Sequence, residues 1–213
     1  LRSLERPNLY RQYNVKSVQP ELKTVVNVEI MTEVGRPSQS IINGYAKLFS
    51  GAITDAMNLS GGMVSEIKPI FRGPKVVGPA VTVSTCPGDV LTVLKAIEFT
   101  RPGDVIVIDG RGYKDGAIWG DMTSRTAVRR GVVGVVIDGA VRDVKYIIQM
   151  KFPVFARAIA PNNGSMEYLG KINMPIQCGG VTVKAGDIVF GDDDGVVVIP
   201  KERAEEVLKT AQS

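Results

Sequence analysis

Two short β-branched runs, Val105–Ile108 and Val132–Ile137, each end in Asp-Gly and frame the middle of the chain. Uninterrupted apolar runs of this length, bounded by turn residues, read as strands buried on both faces of a parallel sheet. Between them lie a glycine-rich stretch, Gly110 to Gly116, predicted as a loop, and a helix-like segment from Asp121 to Arg130. Strand, loop, helix and strand in that order make a parallel crossover. Its polar residues collect just past the strand ends, where open α/β sheets place their ligand sites.

The flanking pattern extends this reading. Ile41, Tyr45, Leu48, Phe49, Ile53 and Met57 recur at three- and four-residue spacing, which predicts an amphipathic helix over Ile41–Met57 with a break at Gly51. Val76-Val77, Gly78-Pro79 and Ala80–Ser84 predict a bent strand, and Val90–Phe99 a helix. After Asp143 come a short helix to about Met150, a strand over Pro153–Arg157 and a loop over Pro161–Gly170. Ile176–Val183, Ile188–Phe190 and Val196–Ile199 are short runs between turns, as in antiparallel pairing, and Pro200 opens a final helix, Lys201–Ala211. Asp194-Gly195 between two apolar runs is a hairpin signal; Asp192–Gly195 lacks the alternating ligands of a calcium loop. Residues 1–36 show no sustained period, with Leu22–Ile30 open to a strand or a frayed helix. They are expected to form an N-terminal arm reaching a neighbouring subunit, followed by one α/β domain over 37–213. The order of elements predicts three layers with mixed sheets.

Composition narrows the chemistry. The 213 residues contain no histidine, which excludes Ser-His-Asp and Cys-His catalysis and histidine-ligated zinc. A metal would be held by oxygen, which points to magnesium, manganese or calcium. The two cysteines, Cys86 and Cys178, make no disulfide framework; both are expected to be small buried hydrophobes in a reducing cytoplasm. The net charge of +4 is spread along the chain, so no nucleic-acid partner is expected. No apolar run approaches the roughly 20 residues of a membrane span. The polar stretch Leu1–Pro20 is expected to carry no secretory leader.

Two clusters carry candidate chemistry. Arg142-Asp143 closes the second half of the crossover. Arginine grips a carboxylate through two parallel hydrogen bonds, and an adjacent Asp can ligate a hard cation. The bland alternative is a helix N-terminus with a solvated Arg. Trp119-Gly120-Asp121-Met122-Thr123 opens the crossover helix. There Asp121 reads equally as an N-cap, and the amides of Met122 and Thr123 as a carboxylate cradle. Gly110, Gly112 and Gly116 miss the dinucleotide fingerprint because the third glycine falls one residue late, and Lys114 reads as an exposed loop lysine.

Several segments together resemble one family: GPAVTV (Gly78–Val83), PGD (Pro87–Asp89), PGDVIVIDGRG (Pro102–Gly112), AIWGD (Ala117–Asp121), GVVIDGAVRD (Gly134–Asp143) and GDDDGVVVIP (Gly191–Pro200). From about Ile41 to Val207 the chain is similar to the regulators of ribonuclease activity A and the 4-hydroxy-4-methyl-2-oxoglutarate aldolases, which are class II pyruvate aldolase-like. The resemblance implies a β/β/α swivelling-domain fold assembled as a trimer or a dimer of trimers. It implies that Arg142 contacts substrate, Asp143 ligates a divalent metal, magnesium or manganese, and Gly120, Asp121, Met122 and Thr123 bind the pyruvyl part. The pattern departs at Tyr146, where the aldolases carry an acidic residue, and at Asp121, where a Glu is usual. Of the C-terminal acids, Glu202, Glu205 and Glu206 are candidates for one lent to a neighbouring subunit.

Two functions follow. One is a cytoplasmic, metal-dependent lyase that cleaves a 4-hydroxy-2-oxo acid to release pyruvate, with oxaloacetate decarboxylation as a related reaction. In it Arg142 holds the acid group and Asp121 orients a water for proton transfer. The other is a non-catalytic trimer that binds a ribonuclease or another protein. Asp143 favours the first.

Overall fold

The computed structural model describes residues 28–213. Its centre is a run of four parallel strands, β3 (Val76–Ser84), β4 (Val105–Trp119), β5 (Gly134–Val141) and β6 (Val154–Ile159). Beyond β3 the sheet continues through β7 (Lys171–Ile172) to β1 (Glu29–Ile30), and beyond β6 to β2 (Lys68–Pro69). Side chains alternate across these strands, so each buried run supplies two cores. Ile106, Ile108, Val135 and Ile137 face α3 (Leu91–Ala96), α4 (Asp121–Arg129) and α5 (Val144–Gln149). Val105, Val107, Val136 and Phe155 face a second β layer.

That layer holds the hairpins β8 (Ile176–Cys178) with β9 (Val181–Val183), and β10 (Ile188–Asp192) with β11 (Gly195–Ile199). In the second hairpin Val189, Val196 and Val198 point to the sheet, while Ile188, Phe190, Val197 and Ile199 point away. The outward set is covered by α1 (Gln39–Tyr45), α2 (Ser50–Ala56) and α6 (Ala204–Ala211). The result is the expected three-layer β/β/α arrangement with an outer helical cover. β3 bends as predicted, because it changes partner at Gly78-Pro79. Val76 to Pro79 pair antiparallel with β10, and Ala80 to Ser84 pair parallel with β4.

Several local expectations are corrected. The predicted Ile41–Met57 helix is two helices, α1 and α2, separated at residues 46–49 and not at Gly51, which lies inside α2. Both turn apolar faces, Ile42 and Tyr45 in one and Ile53 in the other, to the same core, so a single period ran through the break. The predicted glycine loop Gly110–Gly116 lies within β4. Strand β5 runs only from Asp138 to Val141 where β4 runs from Asp109 to Trp119, and the excess is taken up as bulges around Arg111 and Gly112, both at positive φ. The strand predicted to stop at Ile137 runs on to Val141, so Asp138 is a buried strand residue and not part of a turn. The C-terminal helix begins with a single 3-10 turn, Lys201–Arg203, before α6. Cys178 is buried, but Cys86 is only half-buried.

Most of the predicted arm, residues 1–27, lies outside the described residues. Residues 28–36 rest on this chain's own sheet. Val28 and Ile30 pack against the helical-side core, and Arg36 donates from Nε and Nη2 to both carboxylate oxygens of buried Asp104, at 2.9 and 2.8 Å. Among the described residues no helix is long and apolar enough to cross a membrane.

Candidate functional site

Two strand-to-helix joints stand side by side. One is Gly120, between β4 and α4; the other is Arg142-Asp143, between β5 and α5. Arg142 N–H donates to the Trp119 carbonyl at 3.0 Å and ties the joints together. A β-carbon on Gly120 would lie 2.9 Å from Asp143 Oδ2 and 3.4 Å from Arg142 Cγ, so a side chain there would require the Asp143 carboxylate to move. The sequence-predicted residues Gly120, Arg142 and Asp143 therefore meet at one place, with Asp121 next in the chain to Gly120, although 20 intervening residues separate Asp121 from Arg142.

The entry to α4 is held by side chains. Thr123 Oγ1 accepts from Gly120 N–H and donates to Gly120 C=O, both at 2.8 Å. Ser124 Oγ donates to the same carbonyl at 2.8 Å and accepts from Trp119 Nε1 at 2.7 Å. Gly120 is thus the cap residue, which corrects the N-cap reading of Asp121: Asp121 is the first helical residue, with its carboxylate left for other use. Thr123 is buried, its hydroxyl occupied by the cap. What it offers a ligand is its amide, and that of Met122; neither N–H has an acceptor among the described residues, as expected in a first helical turn.

Asp143 is the more informative residue. It occupies the cap position of α5 in the left-handed region, at φ 59°, yet makes no capping hydrogen bond. Aspartate is one of the non-glycine residues that tolerates this conformation, and here it leaves the carboxylate without a capping partner. Asp143 Oδ2 turns instead to Arg142 Nε, 3.5 Å away. Asp121 Oδ2 lies 3.6 Å from Nε of Arg125, a residue that the sequence analysis did not single out although its i,i+4 spacing was legible. All four charged side chains are half-exposed, and none makes a hydrogen bond to another described residue. Elsewhere the guanidiniums of Arg36, Arg157 and Arg203 each donate to a carboxylate.

A second polar group lies beneath, on the hairpin side of the sheet. Asp138 accepts from Arg157 Nε and, at 2.8 Å, from Gly179 N–H. Burial, together with the charges of Asp138 and Asp109, pushes the Cys178 thiol well above its ordinary pKa, so it is a poor nucleophile. Burial also raises the Asp109 carboxyl; the Arg111 amide opposes this and the Asp138 charge adds to it.

Among the described residues no three or more acidic or cysteine side chains gather as a metal cage. Asp143 and Asp121 alone offer free carboxylates at the joint. That donor set suits magnesium or manganese, which one or two carboxylates hold with the remaining positions left to water and substrate. Tyr146 stands one helical turn beyond Asp143, partly exposed, and supplies no acid there. Glu202, Glu205 and Glu206 belong to the outer helical cover, on the other side of the sheet from this chain's own joint.

A family model described as RraA-like, Aldolase/RraA, matches residues 50–198, which include both joints. A Halalkalibacterium halodurans protein provisionally named 4-hydroxy-4-methyl-2-oxoglutarate aldolase is 44% identical over 160 residues, 75% of this chain and 76% of the relative. The crystal structure of Streptomyces coelicolor RraAS2, described as an unusual member of the RNase ES inhibitor RraA family, aligns with a TM-score of 0.75 at 28% identity, covering 83% of this chain and 93% of that one. The structure described as the RNA-processing inhibitor RraA from Thermus thermophilis aligns at 0.66 and 26% identity, covering 71% and 92%.

Proposed function

The chain belongs to the RraA-like, Aldolase/RraA family, and from that premise we propose that it is a divalent-metal-dependent lyase releasing pyruvate from a 4-hydroxy-2-oxo acid. The observation that carries this reading is Asp143, held at positive φ without capping its helix, beside an arginine whose donors are unused among the described residues.

Magnesium or manganese held by Asp143 would supply electrophilic stabilisation of the negative charge that develops on the keto oxygen. Arg142 binds the carboxylate next to the keto group with two parallel hydrogen bonds, which fixes the substrate's orientation. The amides of Met122 and Thr123 sit at the positive end of α4 and add donors to the same acid group. Asp121 takes the proton of the 4-hydroxyl through an ordered water. The C3–C4 bond then breaks, its electron pair passes to C3, and the departing fragment leaves with a new carbonyl group. Return of the proton to C3 through the same water completes pyruvate. Oxaloacetate decarboxylation would use the same stabilised enolate, with carbon dioxide leaving in place of the carbonyl fragment.

The protein is a homotrimer or a dimer of trimers, with the site at a subunit boundary. Large apolar side chains left open next to the joints, Met122 and Ile159, support this, as does the similarity to RraA proteins. Pyruvate release from several 4-hydroxy-2-oxo acids, assayed with purified protein with and without magnesium, tests the lyase reading. Absence of release from every substrate with the metal present would overturn it. The second reading, a protein-binding regulator without catalysis, is favoured by the alignment with two RraA inhibitor structures and would then be tested by inhibition of a ribonuclease.

A further inference from the structure

Resting on the lyase reading, we infer that Arg125 reads a second, distal carboxylate of the substrate and so sets the protein's preference for dicarboxylic over monocarboxylic oxo acids. Arg125 lies one helical turn after Asp121, and helical side chains lean toward the N-terminus of their helix. Its guanidinium is therefore drawn back over the first turn of α4, where Nε comes to 3.6 Å from Asp121 Oδ2. That end of the helix abuts Arg142 and Asp143 through Gly120. Each of the two neighbouring joints thus carries one guanidinium beside one carboxylate.

The contact with Asp121 does not account for Arg125. It is longer than a hydrogen bond, it involves a half-exposed side chain, and no donor of the guanidinium reaches an acceptor among the described residues. Arg36, by contrast, engages both oxygens of its partner. Charge leads to the same conclusion. The two arginines balance Asp121 and Asp143, so a bound divalent cation leaves the joint doubly positive. A dicarboxylate neutralises that excess, whereas a monocarboxylate leaves one positive charge uncompensated. Arg142 is committed to the acid group beside the keto carbon, and Arg125 is the remaining cation with a planar fork suited to the other acid group.

The test compares the binding of 2-oxoglutarate and 2-oxopentanoate by calorimetry, with magnesium present, to the wild-type protein, Arg125→Met and Arg125→Lys. The two ligands share a five-carbon 2-oxo acid skeleton and differ in the second carboxylate. Neither carries a 4-hydroxyl, so neither undergoes the cleavage. The wild type is expected to prefer 2-oxoglutarate by at least about tenfold, as for one charged hydrogen-bonding partner. Arg125→Met is expected to lose that preference, chiefly through weaker 2-oxoglutarate binding, and Arg125→Lys to recover part of it. A wild type without the preference, one that binds neither acid, or an Arg125→Met variant that keeps the preference would overturn the inference. An equal loss for both ligands in Arg125→Met would mean that the residue only positions Asp121, and would overturn it too. If the binding preference behaves as expected but no 4-hydroxy-2-oxo acid yields pyruvate, the lyase reading fails while the role of Arg125 in ligand selection stands.

Discussion

Gly120 and Asp143 stand in such close apposition that a single added methyl group would contact the carboxylate, with 2.9 Å from the would-be β-carbon to Asp143 Oδ2. The backbone at Gly120 is extended, so alanine meets no conformational penalty there, only the lack of space. Gly120→Ala is expected to displace Asp143 and Arg142 together. The displaced groups are half-exposed side chains free to shift, so stability should change by less than about 1 kcal/mol. Misplacing binding groups by about an ångström lowers turnover by roughly a hundredfold. Pyruvate release and thermal melting of the variant measure the two effects; wild-type turnover would show that the joint tolerates the methyl group.

Asp143 allows charge to be separated from backbone conformation. Asparagine accepts the left-handed region nearly as readily as aspartate, whereas alanine there costs about 1 kcal/mol. Asp143→Asn should leave the metal-free melting temperature unchanged and weaken magnesium or manganese binding at least about tenfold. Asp143→Ala should lower both. Metal titration followed by calorimetry checks this, and unaltered affinity in Asp143→Asn would remove the residue from the metal site.

For Arg142 the expected signature is failed rescue by lysine. A point charge does not replace a two-pronged guanidinium. Arg142→Lys and Arg142→Ala should each lose about 2–4 kcal/mol of transition-state stabilisation, roughly thirty- to a thousandfold in rate. The side chain is half-exposed and makes no hydrogen bond among the described residues, so stability should move by less than about 0.5 kcal/mol. Turnover and melting temperature measured on the same preparations distinguish substrate binding from a loop-holding role.

Asp89 gives a pH prediction away from the joint. Burial pushes its carboxyl up, but donors from Glu167 N, Leu91 N, Ser165 Oγ and Tyr168 N outweigh burial and hold it below the ordinary value of 3.8. A carboxylate with a lowered native pKa adds stability that is complete above its unfolded value and disappears as pH falls through the native one. The stability difference between wild type and Asp89→Asn should therefore be constant from neutral pH to about 5 and shrink below 4. Urea unfolding across that range reads it directly. A difference that stayed constant to pH 2 would mean that folding does not lower the proton affinity of Asp89.

Much of the architecture was legible along the chain because it follows from local periodicity. The runs Val105–Ile108 and Val132–Ile137 announced buried parallel strands, and the segment from Asp121 announced the crossover helix. Asp194-Gly195 announced the β10–β11 turn. That the two strand-to-helix joints lie side by side was also legible, since strand ends in a parallel crossover collect at one edge of the sheet. Other features depend on partners distant in the chain, and no local pattern carries them. The excess length of β4 is absorbed as bulges only because β5 is short beside it. The division between α1 and α2 is hidden because both turn their apolar faces to one core. Arg36 finds Asp104, and Asp89 finds residues 165–168, across gaps of more than sixty residues. At the site, residue type named Gly120, Asp121, Arg142 and Asp143. Packing of the two joints against each other decided that Gly120 caps α4, that Asp143 leaves its own helix uncapped, and that Arg125 returns to Asp121, because each of these depends on which groups the tertiary contacts occupy and which they leave without a partner.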